Sequence, residues 1–182
     1  MKKSLFILAP IAAVLLAGMG TAQAASNAQI TITANVTQAT CDVSLSTANL
    51  DLGNYSVAQF TQVATPVTGS TKTFTVGLSN CEAPSTQGDI AGLVISGQTL
   101  AGNTNIFNST GTNTGIMLSQ VTAPTTYLSA GDTLDVATAS ATPAVGDFNG
   151  KTLSLQAAVA SASTDADLGL INAPVLFSFV YN

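Results

Sequence analysis

The stretch Ala28-Gln-Ile-Thr-Ile-Thr-Ala-Asn-Val36 decides the fold. Its even positions, Ala28, Ile30, Ile32, Ala34 and Val36, are apolar, and its odd positions are polar. Strict alternation with β-branched residues is the period of a strand with one dry face and one wet face. The next residues, Thr37-Gln-Ala-Thr40, hold no Gly, Pro or Asn-Gly pair, so nothing there favours the tight reversal of a hairpin. The strand is expected to run on towards Cys41. Its apolar face must find a groove, either across its own domain or on another molecule.

Upstream, Met1-Lys2-Lys3 is basic, Ser4 to Gly20 is almost wholly apolar, and Ala22-Gln23-Ala24 supplies small residues for cleavage. That order is a secretory signal peptide over residues 1–24. Pro10 interrupts the apolar run, which is short for a membrane span. No Cys follows Leu16-Ala17-Gly18 to carry a lipid. The chain then divides into an N-terminal extension, 25–38, and one domain, 39–182.

The 158 residues from Ala25 onward are enough for a real core. They keep only Lys72 and Lys151 against nine acids, a formal charge of −7. So few cations cannot neutralise a phosphate backbone, which excludes nucleic acid as a partner. Insertion into a membrane and attraction to an anionic surface are equally disfavoured. The chain has no His, which removes the usual general base and the commonest metal ligand. No Gly-x-Ser-x-Gly or phosphate-binding loop occurs. No catalytic residue, metal site or cofactor is expected, and the chain does not read as an enzyme. Asp165-Ala-Asp167 offers two carboxylates, too few oxygens for calcium, and both read as solvated acids. The sequons at Asn35 and Asn108 are read as chance matches in a Thr-rich chain.

Cys41 and Cys81 belong to an exported chain, and an oxidising compartment favours a disulfide between them over free thiols or half a metal site. Closing that loop of about 41 residues would remove roughly 4 kcal/mol of unfolded-state freedom.

From Cys41 onward the pattern is β. Strands are expected over Cys41–Leu45, Leu50–Gly53, Thr71–Asn80, Ile90–Ile95, Gly115–Val121, Lys151–Ala160 and Pro174–Asn182. Short strands at Tyr127–Leu128 and Leu134–Val136 should flank a Gly131-Asp132 turn. Pro84–Gly88 and Pro143–Gly150 read as loops. In the last strand Val175, Phe177, Phe179 and Tyr181 share one face, the largest aromatic stripe in the sequence. Short strands with turns between them describe an all-β sandwich. It has an uncovered apolar last strand and a spare strand at the front.

The sequence resembles the pilin subunits of chaperone–usher fimbriae of the type 1 kind. The likeness rests on Ile30-Thr-Ile ahead of Cys41, Leu50-Asp-Leu-Gly-Asn-Tyr55, Phe74-Thr-Val-Gly-Leu-Ser-Asn-Cys81, Gly169 before the last strand, and Phe177-Ser-Phe-Val-Tyr181-Asn182. It implies an incomplete immunoglobulin-like sandwich completed by donor-strand exchange. The chain would be a structural fimbrial subunit, the major shaft subunit, supporting surface adhesion. It would pass through the periplasm to the cell surface with the help of a periplasmic chaperone and an outer-membrane usher. By position, the donor residues are Ile30, Ile32, Ala34 and Val36. The acceptor groove and chaperone-docking strand carries Val175, Phe177, Phe179, Tyr181 and Asn182. Cys41 and Cys81 match the family's intradomain disulfide. Ala28 and Ala34 depart from the glycine usual in such donor strands. The rival reading is a monomeric secreted β-sandwich binding domain, a lectin-like adhesin with residues 28–36 inserted into its own groove.

Overall fold

The computed structural model describes residues 39–182. The signal peptide and the donor residues Ile30, Ile32, Ala34 and Val36 lie outside the described residues.

Alternation in the sequence becomes pairing in the sheet. Strand β2 (Lys72–Ser79) turns Val76 and Leu78 into the core, fully buried, with Phe74 half-buried beside them. Strand β1 (Asp42–Leu45) pairs with it antiparallel, Asp42 opposite Ser79 and Leu45 opposite Val76. Strand β3 (Ile90–Gly97) buries Ala91, Leu93 and Ile95. It is irregular between Ala91 and Gly92, at a glycine that weakens the strand pattern. Strands β4 (Thr99–Leu100) and β5 (Asn103–Phe107) form a small hairpin around Gly102. Its φ of +79° suits glycine. Strand β6 (Thr114–Gln120) pairs with β5, and with β7 (Ala123–Leu128) along the same edge. Then come β8 (Thr133–Thr138), the ten-residue β9 (Thr152–Ser161) and β10 (Val175–Tyr181).

Two sheets result. The larger runs β1-β2-β9-β6-β5-β4 with β7 also on β6, and the smaller runs β10-β3-β8. Leu118, Leu155, Ala157 and Val159 from the first meet Leu93, Ile95, Leu134 and Phe177 from the second in one buried cluster. This is the sandwich the alternation predicted. A second, smaller cluster of Leu100, Ile106, Met117 and Ala160 packs on the outer face of the large sheet, with Ala64 and Tyr127 against it.

One expectation needs correction, and two features go beyond the expectations. Leu50–Gly53 is not a strand. Asp51 accepts the Gly53 N–H at 2.9 Å, and the Tyr55 hydroxyl donates to the Leu52 carbonyl at 2.8 Å. Side chains thus take over bonds that a ladder would have made. The β4–β5 hairpin escapes the sequence pattern, because Asn103-Thr-Asn lacks strand propensity. The Gly131-Asp132 turn joins strands of different sheets, since β7 pairs with β6 and β8 with β3.

Ahead of β2, a short segment continues the β9 edge. Val67 N–H donates to the Val159 carbonyl at 2.8 Å, and Ala64 N–H to that of Ser161 at 2.7 Å. The fully buried Ser70 turns its hydroxyl oxygen to the Val159 N–H at 3.0 Å. One hydroxyl thereby stands in for a missing ladder partner.

Candidate functional site

Among the described residues the sandwich is open beside β10. One edge of β10 pairs with β3 from Val175–Gly97 to Tyr181–Ala91. Among the described residues no strand pairs with the other edge. Alongside that edge lies a cleft of about 1290 Å³, larger than the roughly 300–1,000 Å³ of a small-ligand pocket. Ile116, Leu118, Ala157 and Val159 of the large sheet line it, with Phe74 and Phe60. Val175 and Phe177 line it from the β10 side, and Leu45 and Leu52 also border it. A strand laid there would find an unused backbone edge and an apolar floor together.

The five residues assigned to the last strand fall into two groups. Val175 and Phe177 border the cleft. Phe177 is buried, its ring tilted against Phe74 with centroids 6.0 Å apart. Phe179 is half-buried against the core, away from the cleft lining. Tyr181 and Asn182 are fastened to the sandwich. The Tyr181 hydroxyl donates to the Asp89 carboxylate and accepts the Ser85 N–H at 3.0 Å. Its ring meets Phe148 edge-on at 6.1 Å. Asn182 exchanges two backbone bonds with Ile90, at 2.8 and 3.0 Å. Asp89 is held below the usual carboxylate range, first by the Tyr181 hydroxyl and then by the N–H groups of Thr86 and Ser85.

The connection from β9 to β10 borders the cleft from Asp167 onward. The sequence reads Asp165 and Asp167 as solvated acids, but Asp167 is a structural hub. Its carboxylate accepts the Thr112 hydroxyl at 2.6 Å, and the N–H groups of Asn113 and Thr112 at 2.7 and 2.8 Å. Those bonds lower its pKa, the Thr112 hydroxyl contributing most. Thr110 donates to the Leu170 carbonyl at 2.9 Å, and Ser109 to that of Asn172 at 2.8 Å. The β5–β6 loop therefore straps the connection in place. No periodic signal marks these partners, because they are single polar residues about 55–60 positions apart. Asn108 is buried and its side-chain amide donates to the Thr114 carbonyl.

At the other end of β10 the chain enters the sandwich through Cys41, joined to Cys81 by a disulfide. The fimbrial protein family model matches residues 27–182. The chain belongs to the fimbrial protein family. It is a structural pilin of a surface fimbrium, assembled with other pilin subunits and associated with adhesion. The family is structural and not enzymatic. A type-1 fimbrial protein subunit of Serratia marcescens is 29% identical, over 96% of this chain and 98% of that one. Two solved structures share the fold of this pilin. One is the P pilus rod subunit PapA, with a TM-score of 0.54 at 19% identity, covering 85% of this chain and 99% of that one. The other is an antigen and type I fimbria protein of Burkholderia pseudomallei, with a TM-score of 0.52 at 19% identity, covering 79% and 100%. The fold is the incomplete immunoglobulin-like sandwich of pilin subunits.

Proposed function

We propose that this pilin is the major shaft subunit of a chaperone–usher fimbria and polymerises head-to-tail by donor-strand exchange. Ile30, Ile32, Ala34 and Val36 of one copy enter the cleft of the next. Val175 and Phe177 receive them, while Phe179, Tyr181 and Asn182 form the part of β10 that a periplasmic chaperone grips first. Residues 1–24 direct export, 25–38 form the donor extension and 39–182 the body. Subunits cross the periplasm on the chaperone and are joined at an outer-membrane usher.

The observation that carries this reading is the β10 edge that no other strand pairs among the described residues, beside a cleft with an apolar floor. A strand added to a sheet edge gains a backbone ladder and fills alternate pockets. Nine extended residues span about 30 Å, which exceeds the roughly 23 Å of a seven-residue strand such as β10. Burying Ile30, Ile32 and Val36 would stabilise the joint by about 1.5–3 kcal/mol each. Such a contact is heterologous and does not close, so fibres follow.

Self-insertion is disfavoured by the path of the chain. Strand β1 leaves the disulfide and runs away from it. A self-inserted strand would need a full reversal within 37–41, where Thr40 is already bonded to Glu82 at 2.9 Å and Cys41 is cross-linked.

The test is deletion of residues 25–36 from the exported chain. The deleted subunit should still be captured by the chaperone yet add nothing to surface polymer. Detergent gels of wild-type fibres should show a ladder that collapses only on boiling. Normal polymer from the deletion would overturn the donor role.

A further inference from the structure

The two ends of the pilin body differ. At the disulfide end stand Cys41–Cys81, Asn149, whose side chain accepts the Cys81 N–H, and Tyr181 against Phe148. At the opposite, open end β1 stops at Leu45 and β10 begins at Val175. There Leu168 and Leu170 are 89% and 84% exposed, at the border of the cleft. They are not on a loose loop, since Asp167 pins one flank while the Leu170 and Asn172 carbonyls are held by Thr110 and Ser109. Two leucines fixed in water on a surface of Ser, Thr and Asn call for a partner.

The disulfide end carries an apolar counterpart. Val145 is 48% exposed on the turn Val145–Asp147. The Asp147 carboxylate holds that turn by accepting the N–H groups of Ala144 and Ser140, each at 3.1 Å. The turn leads directly into Phe148 and Asn149.

We propose that Leu168 and Leu170 of one copy dock on the Val145 turn of the neighbouring copy whose strand fills its cleft. The partner is a second copy of this chain, and the inference rests on the strand-exchange reading above. Chain length supplies the argument. Only Thr37–Thr40 separate Val36 from Cys41, and the five steps from Val36 to Cys41 span at most about 18 Å. The donor's disulfide end must therefore sit within that reach of wherever its Val36 rests in the acceptor. The acceptor's own disulfide end is where its own chain enters the body and where Asn182 is paired to Ile90. Room for the donor body lies at the open end. That placement brings the donor's disulfide end, with Val145, to the acceptor end that carries Leu168 and Leu170, and the same step repeats along the fibre. The body-to-body contact then adds to the strand joint and limits bending at each junction.

The test uses full-length chains in assembled fibres. Fibres of the V145C/L168C double variant, treated with a short bismaleimide, should give a ladder that survives boiling. Either single variant should not. If the unboiled ladder is present but boiling leaves only monomer in the treated double variant, the docking falls and strand exchange stands. If wild-type fibres show no unboiled ladder at all, strand exchange fails and this proposal with it. In a second arm, V145S changes only an exposed side chain away from the cleft and should fold. Its fibres should form the heat-labile ladder but release subunits about tenfold faster in denaturant. Unchanged release would overturn the docking.

Discussion

Ala157→Leu separates the cleft's role in assembly from its role in folding. Ala157 is 4% exposed, lies opposite Lys72 on β2 and Leu118 on β6, and borders the cleft. In a closed core a larger side chain would cost about 1–3 kcal/mol through overpacking. Here the added carbons can enter open space. Three more carbons at about 0.8 kcal/mol each could return roughly 2 kcal/mol to the isolated body. The body should therefore fold at least as well as wild type. The incoming strand loses instead: a pocket already filled by the larger side chain cannot accept a donor side chain worth about 1.5–3 kcal/mol. That corresponds to roughly 10- to 150-fold weaker retention of the strand. The assay pairs denaturant dissociation of fibres with a count of subunits per detergent-resistant ladder. Shorter ladders and faster dissociation, from a variant exported at normal levels, are expected. Fibres as long and as persistent as wild type would refute the claim that this floor receives the strand.

Two other outcomes follow from the same geometry. Ser70→Ala leaves the buried Val159 N–H without its partner, which should cost about 1–3 kcal/mol; a denaturation midpoint indistinguishable from wild type would contradict the substitution of hydroxyl for ladder. Asp89, Asp147 and Asp167 all have pKa values lowered in the folded protein. The unfolded chain therefore binds more protons as the pH falls below about 4, so their stabilisation is complete above that value and is lost as the solution becomes more acidic. The urea midpoint should be level above about pH 4 and fall as the pH drops below it, and by less in Asp167→Asn; a flat profile would count against these carboxylates as anchors.

Period-two alternation placed β2, β6, β9 and β10 within a residue or two, because a sandwich core needs one apolar face on each strand. The same pattern exposed the aromatic stripe of β10. It could not divide that stripe. Val175 and Phe177 border the cleft, whereas Tyr181 is fastened to Asp89 and Phe148, a difference set by neighbours distant in sequence. Leu50–Gly53 misled because Leu-x-Leu alternates as a strand does, while Asp51 and Tyr55 satisfy the local backbone.

By itself the sequence determined most of the strands, because alternation is a local fact; the leader-like start and the lack of histidine gave the expectations of export and of no catalytic chemistry. Tertiary structure alone decided which sheet each strand joins and which edge of β10 has no partner among the described residues. It also fixed the loop that walls the cleft, through Asp167 and its partners on the β5–β6 loop. The reason is physical. A side chain's face is set by its own backbone, but the partner it meets is set by the path of the whole chain.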